Sequence, residues 1–221
     1  MHHNYLPRFL VSLILLIGLC GLMPAHSQES ERDHHYTPGQ FEKDSRNQWQ
    51  KVDDVIKAFE LKKGQSIADI GGGSGYFTRS FAKTIGPEGV VYCCDLATNL
   101  LEFLQDQSKN EGFKNIVTVY AAMDRPMLPP KSLDHIFFCN TNHHLSNRVE
   151  YYKGLIPLLR KDGQLVVVDW KKKRQKIGPP PSHNHSQEML TKEMGEAGWK
   201  LVREIKDVLD YQYFLIFKPV K

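Results

Sequence analysis

Cysteine is scarce in this sequence, and no strong charge of either sign is present. Four cysteines occur in 221 residues. Cys20 lies in an apolar N-terminal run, while Cys93, Cys94 and Cys139 lie in apolar stretches that read as strands. Two adjacent thiols and a distant third make no disulfide framework, and the lack of a Cys-x-x-Cys pair leaves zinc and redox motifs unsupported. Buried thiols are the simpler reading. Lys and Arg number 29 against 25 Asp and Glu, a balance too mild to mark a nucleic-acid binder. No internal repeat and no long low-complexity segment occurs, so the chain is not an array of one unit. The longest uncharged apolar run, residues 9–22, falls short of the roughly 20 residues that span a bilayer.

That run has a function of its own. Arg8 precedes it, and Pro24 and Ala25-His26-Ser27 follow with small residues where a signal peptidase reads them. The pattern is that of a secretory signal, cleaved after Ser27. An uncleaved anchor, with membrane association through residues 9–22, is the second reading. Leu19 before Cys20 argues against a lipoprotein. The expected organisation is therefore a signal peptide or anchor over 1–27, a polar linker arm over 28–43 and a folded domain over 44–221. The expected location is exported (periplasmic) or membrane-anchored, or cytoplasmic if translation begins at Met23.

After the arm, helical and strand patterns alternate. Trp49, Val52, Val55, Ile56 and Phe59 recur at spacings of three and four and predict a helix over 44–61. Strands are predicted over 66–70, 90–94, 116–120, 133–139 and 165–168, with helices between them. The region 149–159 reads as a helix despite Pro157, and 186–197 as a helix with Gly198 just past its end. The early strands are continuous apolar runs, as in a parallel sheet buried on both faces. The segments 201–205 and 213–217 lie too close for a helical crossover and should pair antiparallel. The predicted fold is α/β: a doubly wound, seven-stranded, mostly parallel sheet with an antiparallel last strand.

Ligands of such sheets bind beyond the carboxyl ends of the strands. The loop after the first strand reads Asp69-Ile70-Gly71-Gly72-Gly73-Ser74-Gly75. Glycine there permits positive φ and close approach of backbone N–H groups to a ligand. The dinucleotide pattern Gly-x-Gly-x-x-Gly fails, since Tyr76 or Thr78 stands where the last glycine belongs. No Gly-Lys-Ser/Thr follows, so the phosphate loop of nucleotide hydrolases is absent too. An acid just before the loop would repel a phosphate and attract a cationic amino group or sulfonium.

Asp69-x-Gly71-x-Gly73-x-Gly75 resembles motif I of the class I S-adenosylmethionine-dependent methyltransferases, where the loop cradles the methionine part of the cofactor. The resemblance runs over residues 44–218. Asp95, followed by Leu96, ends the second strand roughly twenty residues after the loop, where an acid takes both ribose hydroxyls. Met123 and Asp124, after the third strand, are similar to the segment beside the adenine ring. Asn140, Asn142, His143 and His144 resemble motif IV at the methyl-transfer site. Lys161-Asp162 replaces the usual Pro-Gly before the fifth strand. Arg46-Asn-Gln-Trp49-Gln50 is similar to an Arg-x-x-Trp-Gln element of small bacterial methyltransferases.

The resemblance implies S-adenosyl-L-methionine as cofactor and in-line transfer of a methyl group to a small-molecule acceptor, the protein aligning the groups and excluding water. Cofactor contacts are expected from Asp69, Gly71, Gly73, Gly75, Asp95, Leu96, Met123, Asp124 and Asn140. His143, His144 and Asn142 are the candidate catalytic residues, since a base is needed where the acceptor loses a proton. Arg46, Trp49, Asp169 and His183 are candidate substrate contacts. No metal is expected. The basic run Lys171 to Lys176 reads as a solvated loop, so no nucleic acid is expected. The Asn-Pro-Pro-aromatic signature of base-modifying enzymes is absent. The alternative is a sensor or scaffold domain that binds S-adenosylmethionine without catalysis.

Overall fold

A computed structural model describes residues 36–220, so the predicted signal segment and residues 28–35 of the arm lie outside the described residues. Strands β1 (Ser66–Ile70), β2 (Val90–Asp95), β3 (Ile116–Tyr120), β4 (Leu133–Cys139), β5 (Leu159–Trp170), β6 (Trp199–Glu204) and β7 (Gln212–Pro219) form one sheet. Their order is β3-β2-β1-β4-β5-β7-β6. The pairs from β3 across to β5 are parallel, and β7 runs antiparallel to both β5 and β6. This is the expected doubly wound sheet, with its last strand reversed.

Alternation along the central strands sends side chains into two layers. Ile67, Phe137, Val166 and Val168 face one layer with Val55 and Phe59 of α2 (Val52–Phe59) and Phe77, Phe81 and Ile85 of α3 (Tyr76–Ile85). Ala68, Ile70, Ile136, Phe138, Leu165 and Val167 face the other. There they meet Tyr152 and Leu155 of α5 (Arg148–Leu155) and Leu190 and Met194 of α6 (Gln187–Glu196). Burial of both faces explains why these strands read as unbroken apolar runs. Each fully buried Phe or Leu contributes about 1.5–3 kcal/mol. Cys93, Cys94 and Cys139 are free and buried in β2 and β4.

The predicted helix over 44–61 is two helices, α1 (Ser45–Gln50) and α2. Lys51 between them takes a left-handed φ of 47°, and the Val52 amide donates to Asn47 Oδ1 at 3.3 Å. The kink frees the end of α1 from the register of α2. Val52 to Phe59 cover the sheet while Trp49 and Gln50 reach the carboxyl ends of the strands. The helix predicted over 149–159 ends at Leu155 and tightens into a 3-10 turn, Ile156–Leu158, that carries Pro157. Leu159 already pairs with Leu133 as part of β5, so Lys161-Asp162, placed before the fifth strand by the sequence, lies in an irregularity within a longer strand. Ser186, where the helix over 186–197 was expected to start, is instead the N-cap of α6, and its Oγ accepts the Met189 amide at 3.2 Å.

Neighbours of β1 lead in opposite directions, through β2 on one side and β4 on the other. The crevice beyond the carboxyl ends of β1 and β4 is therefore the topological switch point.

Candidate active site

Three glycines give the loop after β1 its shape: Gly71, Gly73 and Gly75 have φ of 69°, 56° and 86°. A Cβ at Gly71 would meet the Thr141 side chain, and one at Gly75 would meet Leu104 of α4 (Thr98–Asn110). At Gly73 the nearest atom would be 3.7 Å away. Gly71 and Gly75 are thus needed for conformation and for space, while Gly73, itself buried, is needed for conformation, since a Cβ there would make only ordinary contact with Leu100. Gly75 is the N-cap of α3 and has no side chain to satisfy the first amides of that helix. The Thr78 amide is taken by Asp69, which leaves those of Tyr76 and Phe77 for an anionic group.

Acids flank the loop unequally. Asp95 Oδ2 accepts the Gly73 amide at 2.8 Å and Oδ1 accepts the Ala97 amide at 2.9 Å. A carboxylate has about four lone-pair sites, so both oxygens can still take hydroxyl donors. Asp69 is buried behind the loop, where Thr78 Oγ1 of α3 donates to its Oδ2 at 2.6 Å. Burial pushes its pKa up to about 6, against the Thr78 hydrogen bond and the Arg46 charge. Asp69 therefore braces the loop against α3.

Leu96 and Met123 are 47% and 74% exposed, giving apolar surface beyond the ends of β2 and β3. Asp124 stands exposed beside Arg125, at 3.9 Å. Residues 36–43 of the arm make a strap. Asn99 Nδ2 of α4 donates to Tyr36 O at 2.7 Å. Glu42 accepts from Ser74 Oγ at 2.5 Å and from Arg79 at 2.6 Å. Arg46 donates to Phe41 O at 3.1 Å and lies 4.0 Å over the Tyr76 ring. Its charge is felt by both Asp69 and Cys139.

Beyond β4, three amides close a ring. Gln50 Nε2 donates to Gln212 Oε1 at 2.8 Å, Gln212 Nε2 to Asn140 Oδ1 at 2.6 Å, and Asn140 Nδ2 to Gln50 Oε1 at 3.2 Å. The ring ties α1, β4 and β7 together and holds Asn140 at a left-handed φ of 57°. Gln50 and Gln212 were not singled out from the sequence as site residues. Gln50 ends the Arg-x-x-Trp-Gln element, and a glutamine at the start of an otherwise apolar final strand is the one signal that pointed to Gln212.

His143 and Asp169 come together from the ends of β4 and β5. The ring Nδ1 lies 2.8 Å from Asp169 Oδ1, and the His143 amide donates to Oδ2 at 3.2 Å. The His144 ring lies against His143, centroids 4.1 Å apart. Trp170, next to Asp169, packs against Trp49 at 5.0 Å between ring centroids. Asn142, expected to face the acceptor, is instead wholly buried. It receives the Tyr152 hydroxyl and donates to Tyr213 Oη at 3.3 Å, a framework role set by the apolar layer around it. His183, expected on the acceptor side, is exposed in a 3-10 turn. Its neighbour His185 is the buried one, with Nε2 3.0 Å from Glu193, which also takes Arg148 at 2.8 Å. Lys171, Lys172 and Lys173 line an open cleft with Tyr213 and the start of α6.

Residues 67–163 match a family described as "Methyltransferase domain". The chain is 25% identical over 119 residues to the ubiquinone/menaquinone biosynthesis C-methyltransferase UbiE of Pseudomonas paraeruginosa, covering 53% of this chain and 46% of that protein. It is 28% identical over 118 residues to the enzyme of the same name from Neisseria meningitidis, covering 53% of this chain and 48% of that one. The chain thus spans about half the length of the curated relatives it matches. A crystal structure of a SAM-dependent methyltransferase from Aquifex aeolicus superposes with a TM-score of 0.78 at 26% identity, over 84% of this chain and 100% of that one. A Haemonchus contortus phosphoethanolamine N-methyltransferase in complex with S-adenosylhomocysteine shares the fold, with a TM-score of 0.60 at 15% identity over 78% of this chain and 52% of that one.

Proposed function

The chain carries a methyltransferase domain of the class I, S-adenosylmethionine-dependent type, and from that premise we propose that it transfers a methyl group to a small-molecule acceptor. The observation that carries the reading is the glycine loop bound to Asp95. A glycine loop at left-handed φ, an α3 without a side-chain cap and a carboxylate with spare lone pairs meet at the switch point. These residues fit the cofactor. Arg46 and the Tyr76 and Phe77 amides would take its carboxylate, Asp95 would take the ribose hydroxyls, and Leu96 and Met123 would flank the adenine. Bound S-adenosylmethionine supplies an electrophilic methyl group on a positively charged sulfur.

The protein contributes alignment and exclusion of water. The strap through Glu42 and the kinked α1 cover the loop, while Asn140, held by its amide ring, fixes the end of β4. The N-terminal run 9–22 delivers this domain to the membrane or beyond it, a reading that N-terminal sequencing of the native protein tests.

Titration calorimetry tests the cofactor site. Binding of S-adenosylmethionine and S-adenosylhomocysteine is expected, and Asp95→Ala is expected to weaken both by about one to two orders of magnitude, as loss of charge-assisted hydrogen bonds does. Binding without transfer of labelled methyl to any member of a broad metabolite set would mark a sensor instead.

A further inference from the structure

We infer that the basic loop leaving the carboxyl end of β5 docks the domain on the surface of an anionic phospholipid bilayer. This contact does not depend on which reaction the domain catalyses.

The loop is closed at its neck. Lys171 O accepts Asn184 Nδ2 and Gln175 Nε2, each at 3.3 Å. The Lys171 amide donates to Tyr211 O at 3.0 Å, and its Nζ donates to Leu209 O at 3.0 Å and to Asp210 O at 3.1 Å. Gly178 folds back on Trp170, where a Cβ would stand 2.6 Å from the indole ring. Residues 172–183 are thus carried on a fixed base. Within them Lys172, Lys173, Arg174 and Lys176 are exposed. None of the four has an acidic partner among the described residues, and no Asp or Glu occurs from 170 to 187. Four like charges within five residues repel one another, and a surface of opposite charge relieves that repulsion.

Apolar groups beside the cations identify that surface. Ile177 and the three prolines 179–181 continue the loop. Met189, 46% exposed, stands in the first turn of α6, directly after the residues that line one cleft with Lys171, Lys172 and Lys173. Glu188, the acid of that cleft, is engaged by its own amide and by Ser186. Cations at the level of lipid phosphates, with apolar side chains next to them, match the boundary between headgroups and acyl chains. Nucleic acid is matched less well. Its unpaired bases stack on aromatic rings, and residues 171–186 contain no Phe, Tyr or Trp. The path of the chain agrees with lipid. Tyr36, the first described residue, is tied to Asn99 at the start of α4, beyond the end of β2. The chain that carries the apolar run 9–22 therefore enters the domain at the carboxyl edge of the sheet. The strands β1, β2, β4 and β5 are parallel, so the basic loop leaves from that same edge. Lipid contact through the loop turns this edge, with the glycine loop and Asp95, towards the bilayer.

Two readouts on the full chain test the contact. The first is partitioning onto vesicles of phosphatidylglycerol and of phosphatidylcholine, for wild type and for Lys172→Gln, Lys173→Gln and Arg174→Gln combined. The apolar run can bind either lipid, so the ratio between the two vesicles isolates the loop. In about 0.1 M salt, where the Debye length is about 10 Å, wild type is expected to prefer phosphatidylglycerol. The triple variant is expected to lose about 10²-fold of that preference, and about 1 M salt to abolish it in wild type. Absence of a preference in wild type, or an unchanged ratio in the variant, overturns the proposal. The second readout needs no variant. Hydrogen exchange on phosphatidylglycerol vesicles is expected to slow at residues 172–178 and to keep its rate in the turn 86–89, at the amino end of β2. No slowing in the loop, or equal slowing at both places, overturns the docked face. Tighter binding to oligonucleotides than to the vesicles in the same salt, lost in the triple variant, assigns the basic run to nucleic acid and overturns the lipid surface.

Discussion

At the scale of single residues, burial has set two ionisable side chains against each other. Asp69 sits behind the glycine loop with its pKa raised from 3.8 to about 6. His135 sits in β4 against Phe59, ring centroids 4.8 Å apart, with neither ring nitrogen hydrogen-bonded, and burial lowers its pKa from 6.5 to about 4. Between about pH 4 and 6 the folded chain keeps a proton on Asp69 that the unfolded chain has lost, so this group makes stability fall as pH rises. His135 acts in the opposite sense. Between about 6.5 and 4 the unfolded chain takes up a proton that the folded chain refuses, so stability falls as pH falls. Each effect is at most about 3 kcal/mol at 1.36 kcal/mol per unit. Urea denaturation across pH 4–7 checks this. Asp69→Asn is expected to lose stability more steeply than wild type on acidification, and His135→Leu less steeply. The sequence marked Asp69 as a ligand for a cation because an acid before a glycine loop is all that a sequence shows. Its burial, and the Thr78 hydroxyl that meets it nine residues later, exist only once α3 folds back on β1.

At the scale of elements, the amide ring explains why α1 ends where it does. A helix continued through Lys51 would carry Gln50 away from β4, whereas the left-handed residue turns it onto Asn140 and Gln212. Removing one amide leaves two buried groups without their partners, which costs about 1–3 kcal/mol. Gln50→Ala and Gln212→Ala should each show that loss, and the double variant should lose less than their sum, because one broken ring cannot be broken twice. Thermodynamic cycles from denaturant melts measure the coupling; strict additivity would mean that the three amides do not act as a unit. The central strands were legible because both faces of the sheet are buried there, which leaves short, nearly unbroken apolar runs. β1, β3 and β4 begin and end as predicted. The kink at Lys51 was not legible, since the apolar spacing passes straight across it and lysine carries no signal for positive φ. Asn142 was misread for a related reason: its place after β4 is that of an acceptor contact, but Tyr152 and Tyr213, from distant segments, enclose it.

At the scale of the whole molecule, the parts that would hold the cofactor come from every layer. The strap at 36–43, the loop after β1, the end of β2 and the turn after β4 are far apart in sequence. A ligand bridging them binds the folded chain and not the unfolded one, so it must raise thermal stability by mass action. At a hundredfold excess over its dissociation constant the gain is about 2.7 kcal/mol, and a domain of this size shifts by about 2–4 °C per kcal/mol. S-adenosylhomocysteine should therefore raise the midpoint of thermal unfolding by about 5–11 °C, in differential scanning measurements on the full chain. Nicotinamide dinucleotides should leave it unmoved, because Asp69 and Asp95 both bear on the loop where their pyrophosphate would lie, and the third glycine of their pattern is missing. Glu42→Ala separates the strap from the loop. Without its bonds to Ser74 and Arg79, ordering residues 36–43 over the ligand has to be paid out of the binding energy, so the same ligand concentration should give a smaller shift. A shift as large as that of wild type would place the strap outside the cofactor site and leave the loop and Asp95 to hold the ligand alone.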